Sequence, residues 1–273
     1  MSASTVAQAI LFALFGALTA VLNAVVGPTY DGLVVPELQP SALFPPLPPD
    51  PGSTTFVSRA AEFSAYLLTN LVDPAIALLA LGVGLLYLLR SVLPSAKLRP
   101  EGLVTRLVVS VILANFSVPI AGAVLGLAGA AYPVVADFDG GAWESWGNIV
   151  PPGALTFSWD NGALAFVVAF SLFSLVLLLA IAIALRDALL GVLIVLLPVL
   201  TLLWPIPSLA PLAKRAWKLF AEAAFLPLVT VIPLELAVGT PSILLVLGYL
   251  TVALAAPYFL SLAGGQLSGA GFP

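Results

Sequence analysis

Residues 185–235 read LRDALLGVLIVLLPVLTLLWPIPSLAPLAKRAWKLFAEAAFLPLVTVIPLE. An Arg186-Asp187 pair stands between two apolar runs. The chain then meets Pro198, a bend with Pro205 and Pro207, and the basic-aromatic cluster Lys214, Arg215, Trp217 and Lys218. A last apolar run carries Glu222 and Glu235. Apolar runs of this length, with charge at a few isolated points, suit a bilayer. There each buried ionisable group needs an explanation, either structural or functional.

The whole chain agrees. Hydrophobic residues make up 61% and charged residues 8% of its 273 residues, and mean hydropathy is +1.15. A soluble domain carries about 25% charged residues, so this composition cannot cover a water-facing surface. Length and periodicity predict an all-α, polytopic transmembrane bundle of about 6–7 membrane segments, read as one integral membrane domain over 1–273. The net charge of −4 is unevenly spread. Seven of the thirteen acids fall in two loops, 27–55 and 132–162, while basic residues cluster at Arg90, Lys97, Arg99, Arg106 and at 214–218. Short cytoplasmic loops concentrate Lys and Arg, so a multi-pass protein of the cell membrane with both acidic loops extracellular is expected.

Outward from the central stretch, Val6 to Val26 is an uncharged run with no positive segment before it. It reads as a retained first span rather than a cleaved signal. The loop 27–55 is rich in proline and reads as extended polyproline-II-like backbone, either a stiff connector or a docking surface. Residues 56–70 are amphipathic and read as an interfacial helix. Asp73-Pro74 reads as the N-cap and first position of the next span, ending near Arg90. A third span covers 107–136, kinked at Pro119. Its Gly122-x-x-x-Gly126 pattern predicts close helix packing, within the chain or in a homo-oligomer. Trp143, Trp146 and Trp159 of the second acidic loop suit an interfacial belt. The last span, 242–262, leads to the flexible tail 264–273.

The run 162–203 would measure about 60 Å as one helix, twice the hydrocarbon core. We therefore expect an interruption. Arg186-Asp187 forms either a polar turn, with Asp187 capping the next helix, or a buried polar pivot. Residues 188–203 are read as re-entrant, turning back at the breaks Pro198, Pro205 and Pro207, which keeps Lys214, Arg215 and Lys218 on the cytoplasmic side. Lys218 and Glu222 are spaced to pair on one helix face. Glu235, about 20 Å further along, forms no paired-carboxylate site with Glu222.

Cys and His are absent, so Cys/His metal sites, thiol nucleophiles and histidine bases are excluded. Asp137, Asp139 and Glu144 do not match a calcium-loop spacing. No catalytic, phosphate-binding or dinucleotide motif is present. No enzyme activity, metal or cofactor is expected. The scarcity of thermolabile residues, with proline in the loops, suggests a thermophilic source.

The order Leu185-Arg186-Asp187, an apolar run to Pro198, Trp204-Pro205-x-Pro207, Lys214-Arg215-x-Trp217 and Phe225-x-Pro227 resembles the signature region of the TrbL/VirB-type polytopic subunit of conjugation and type IV secretion machines. With its compact length, the chain is also similar to the CedA-type archaeal DNA-import membrane proteins. The resemblance covers the C-terminal half, and a large central extracytoplasmic domain is lacking. It implies a membrane channel or scaffold for single-stranded DNA, with a conjugation-type ATPase and small pilin-like membrane subunits as partners, and membrane lipid around it. Lys214, Arg215 and Lys218 would then meet phosphates and Trp217 would stack a base, or the four form a snorkelling interfacial anchor. The alternatives are a secondary transporter of a small solute or ion and a purely structural membrane subunit.

Overall fold

The first apolar run stays helical well past its expected end. In the computed structural model, which describes residues 3–47, 56–89, 100–150, 162–206 and 208–269, helix α1 spans Ala3–Thr29. It passes into a π-helical turn, Tyr30–Val34, then a 3-10 turn, Pro36–Leu38, and the short helix α2, Pro40–Leu43. The expected extended loop is therefore corrected for 27–43, while 48–55 lies outside the described residues. The prolines act locally as helix starters: Pro36 and Pro40 each open a helical turn, where a missing N–H costs nothing.

The same device recurs in the second span. Helix α3, Phe56–Leu67, continues through a π-helical turn, Leu68–Val72, into α4, Asp73–Leu89. The predicted cap at Asp73 is corrected, since its φ −61°, ψ −47° is helical and the chain does not break there. A residue before proline normally resists the helical region. At both Val35-Pro36 and Asp73-Pro74 the residue before proline donates its N–H five residues back, to the carbonyls of Tyr30 and Leu68. The wider turn accommodates the ring without ending the helix.

The third span divides into α5, Pro100–Asn115, and α6, Ser117–Ala136. Pro119 has no N–H to offer the Asn115 carbonyl, and the interruption falls one turn earlier, at Phe116. The bonds Phe116 N–H to Ile112 O (3.0 Å) and Ile120 N–H to Phe116 O (2.9 Å) keep helical hydrogen bonding across it. Arg106 is described, whereas Arg90, Lys97 and Arg99 lie outside the described residues.

After a short helix α7, Trp146–Ile149, the chain enters α8, Gly162–Leu202, an unbroken helix of 41 residues. This corrects two expectations. Arg186-Asp187 is not a turn, and Asp187 lies inside the helix rather than at its start. Pro198 is not a break: it sits buried inside the helix, which runs on to Leu202. One proline removes one ladder bond, which a helix among other helices tolerates. The chain reverses only afterwards, through Leu203, Trp204 and Pro205, while Pro207 lies outside the described residues. Helix α9, Ala210–Ala237, contains Pro227 and Pro233 without ending at either. Helix α10, Ile243–Gly269, takes in most of the segment expected to be a flexible tail.

Five helical stretches are long and apolar enough to cross a membrane: Gln8–Leu38, Arg59–Leu85, Ser117–Ala136, Ala163–Leu202 and Ala210–Ala237. Val104–Asn115 and Ile243–Tyr258 are shorter apolar helices. The chain is a multi-pass, all-helical membrane protein, and no strand occurs among the described residues.

Two compact units make up the chain. The first comprises Met1–Leu43, Gly129–Arg186 and Phe225–Pro273, and the second Phe44–Ala128 and Asp187–Ala224. Within the first unit the described part of the acidic loop, 132–150, is held by buried side chains. Trp143 and Trp146 are buried rather than belt residues, and Trp159 lies outside the described residues. Trp143 donates its Nε1–H to the Ala136 carbonyl (2.9 Å), and its own carbonyl accepts from the Tyr30 hydroxyl (2.8 Å). Asp31 accepts the Trp146 backbone N–H (3.0 Å), and Tyr132 donates to the Leu38 carbonyl (2.7 Å). Gly140 and Gly141, both at positive φ, make the turn that returns the chain to Trp143. In the second unit, Val72, Ala114 and Leu202 form a core flanked by Leu68, Ile76, Leu79 and Val199.

Candidate functional site

The residues singled out by sequence fall at separate places, and the richest is the start of α9. Its first turns sit in the second unit beside the end of α8. Lys214 and Arg215 are exposed, and neither forms an ion pair among the described residues. Lys218 pairs with Glu222 at 3.7 Å, one helical turn on, with side chains 39% and 21% exposed. Glu222 Oε1 is itself buried and makes no hydrogen bond, so the contact is an ion pair alone, and it leaves Lys218 less free than its neighbours to meet an anion.

Trp217 is fixed by two elements. Its Nε1–H donates to Thr201 Oγ1 at 3.2 Å, and the Thr201 hydroxyl donates to the Leu197 carbonyl at 2.6 Å. Its ring packs edge-on against Phe220, with centroids 6.1 Å apart. Trp217, Thr201 and Trp204 line a cavity of about 380 Å³ together with Leu113, Ile120, Ala213 and Lys214. Arg215 does not line it. The spacing explains this: at 100° per residue Arg215 is turned a quarter circle from Lys214. Trp204 entered the sequence reading only as part of the proline bend, and Thr201 did not stand out at all. Thr201 is the one hydroxyl between Ala188 and Pro207, and a lone hydroxyl in an apolar run was the available signal.

Arg186, 3% exposed, lies in the first unit and donates from Nη1 to the Leu43 carbonyl at 3.1 Å. A buried guanidinium is costly in a membrane protein, and a hydrogen bond to a backbone carbonyl offsets part of that cost. Asp187, 9% exposed, belongs to the second unit. It lines an open groove of about 870 Å³ with Arg59, Glu62, Phe63, Gly191 and Leu196.

No family model, curated protein or solved structure matches this chain.

The remaining candidates stand apart. Glu235, in the last turn of α9, has both carboxylate oxygens buried without a hydrogen-bond partner. It lies thirteen residues from Glu222, in the other unit. Gly122 packs against the backbone of the second unit: a Cβ there would lie 2.5 Å from the Leu47 carbonyl oxygen. Gly126 has nothing within 4 Å of such an atom. No group of three or more acidic residues able to hold a metal ion occurs among the described residues.

The side on which the α8–α9 turn lies decides what the basic cluster can meet. Ser208 is exposed in that turn, and the chain contains no cysteine. A Ser208→Cys variant is expected to react with a membrane-impermeant maleimide only when the reagent reaches the cytoplasmic face. Labelling of intact cells would place Lys214, Arg215 and Lys218 on the outer side.

Proposed function

We propose that the protein is a membrane-embedded subunit of a conjugation-type DNA transfer machine, acting as channel or scaffold for single-stranded DNA. The observation that carries this reading is the pair of exposed cations, Lys214 and Arg215, without an ion pair among the described residues, with Lys214 set beside Trp204 and Trp217 at one turn. Cations that meet phosphates, with aromatic faces that accept any base, are the chemistry of sequence-independent single-strand binding. The ordered resemblance of 185–227 to the TrbL/VirB-type signature supports the same reading. An ATPase and small pilin-like membrane subunits are the partners it implies.

The test is transfer of marker DNA between cells with and without the gene. Deletion is expected to abolish transfer while growth and cell contact stay normal. The double variant Lys214→Ala/Arg215→Ala is expected to lower transfer by about tenfold, the consequence of losing roughly 1.5 kcal/mol of charge-assisted contact. Lys214→Arg should retain it. Unchanged transfer in the deletion strain would overturn the reading.

A second reading, a secondary transporter of a small solute or ion, is favoured by one feature. The groove holding Asp187, Arg59 and Glu62 offers charge within an apolar wall. Solute flux into vesicles that depends on Asp187, with DNA transfer intact in the deletion strain, would put this reading first.

A further inference from the structure

We propose that the cavity beside Lys214 is a binding site for one anionic membrane lipid. The inference goes beyond the DNA reading and rests on the cavity, not on the resemblance. The volume of about 380 Å³ falls within the roughly 300–1,000 Å³ of ordinary ligand pockets. Its wall is apolar over Leu113, Ile120 and Ala213, and aromatic over Trp204 and Trp217. One cation, Lys214, lines it, and no carboxylate does. This is the complement of an amphiphile with a hydrocarbon chain and a negative head.

The walls come from α5, α6, α8 and α9, all helices of apolar character, so the cavity is built from the elements that face hydrocarbon in a bilayer. Lys214 and Arg215 are one residue apart on the chain, yet only Lys214 reaches the cavity. Both side chains are exposed, and bordering the cavity is what separates Lys214 from Arg215. Trp217 cannot swing away to close the cavity without breaking its bond to Thr201. Tryptophan rings and lysine stems at such a position suit the level of lipid headgroups.

A membrane lipid is favoured over a nucleic acid here because Lys214 is the one cation of the lining, too few for a phosphodiester chain, and a nucleic acid would leave the walls of Leu113, Ile120 and Ala213 unfilled. The experiment is native mass spectrometry of the full chain in detergent, titrated with phosphatidylglycerol and, separately, with phosphatidylcholine of the same acyl chains. Phosphatidylglycerol is expected to bind about fivefold more tightly, the effect of about 1 kcal/mol per lysine near an anionic headgroup. Lys214→Gln should erase the preference, Lys214→Arg should keep it, and Ala213→Trp should weaken both lipids by filling the space. A second measurement needs no variant: phosphatidylglycerol brominated on its acyl chains should quench tryptophan emission, and Trp217→Phe should reduce that quenching.

Equal binding of the two lipids, a preference untouched by Lys214→Gln, or absence of quenching would overturn the proposal. Displacement of the lipid by inorganic phosphate would assign Lys214 to free phosphate. Displacement by a single-stranded oligonucleotide would assign the site to DNA, and either displacement also counts against lipid. The two readings share Lys214 but not Arg215, which does not line the cavity: Arg215→Ala is expected to lower marker-DNA transfer while the lipid preference stays, so failure of one reading is told apart from failure of the other.

Discussion

Trp143→Ala is expected to lower the stability of the first unit by about 3–5 kcal/mol, the usual cost of removing a buried tryptophan side chain. Trp143 is 1% exposed and is the largest fully buried side chain among the described residues. Its loss would leave a void and also an unpaired Ala136 carbonyl, which accepts the indole N–H at 2.9 Å. An orphaned buried carbonyl adds about 1–3 kcal/mol unless water reaches it. The damage would spread, since the Tyr30 hydroxyl is fixed by the Trp143 carbonyl and Trp146 packs on Tyr30 at 5.4 Å. Trp143→Phe removes the donor but keeps a six-membered aromatic ring, so it leaves a smaller void than alanine does. The thermal unfolding midpoint in detergent should fall in the order wild type, Trp143→Phe, Trp143→Ala, and proteolysis near 137–150 should rise in step. A midpoint for Trp143→Ala equal to wild type would mean that the loop 137–150 is not packed as described.

Gly122→Ala and Gly126→Ala are expected to behave oppositely, although the sequence pattern treats them as equals. The new Cβ at Gly122 would come within 2.5 Å of the Leu47 carbonyl oxygen and 2.9 Å of the Leu47 Cβ. Both belong to chain that cannot rotate out of the way, unlike the end of a flexible side chain. Overpacking of this kind costs about 1–3 kcal/mol. At Gly126 nothing lies within 4 Å, so alanine meets open space and gains helix propensity, with stability unchanged or raised by up to about 1 kcal/mol. Urea or thermal unfolding of the two variants in detergent decides the matter. Equal loss at both positions, together with a fall in oligomer size on a sizing column, would show that the pair forms a helix–helix seam between copies. In that case Leu47 is not the neighbour that matters.

These cases show where the sequence was readable. Membrane residence, the all-helical class and the position of most spans follow from composition and run length, because a bilayer admits few structures and demands apolar length. The Lys218–Glu222 pair was legible from spacing alone. Misreadings came at prolines and at charges. Pro198, Asp73-Pro74 and the prolines of 36–40 were read as breaks or extended chain. In the structure a π-helical turn absorbs Pro36 and Pro74, and α8 runs unbroken through Pro198. Trp143 and Trp146 read as surface anchors because their hydrogen-bond partners, the Ala136 carbonyl and Tyr30 hydroxyl for Trp143 and the Asp31 carboxylate for Trp146, could not be foreseen from local pattern.

The sequence by itself determined the solvent of this protein, its helical content and the chemistry it lacks, since those depend on residue types and their local periodicity. Only the tertiary structure decided that Arg186 is buried on the Leu43 carbonyl, 143 residues away. It also decided that Trp217 is held by Thr201, and that Lys214 lines a cavity while Arg215 does not. Each of these depends on which segments meet in space. A buried polar group accepts whichever partner the packing brings within reach, and no local pattern encodes that choice.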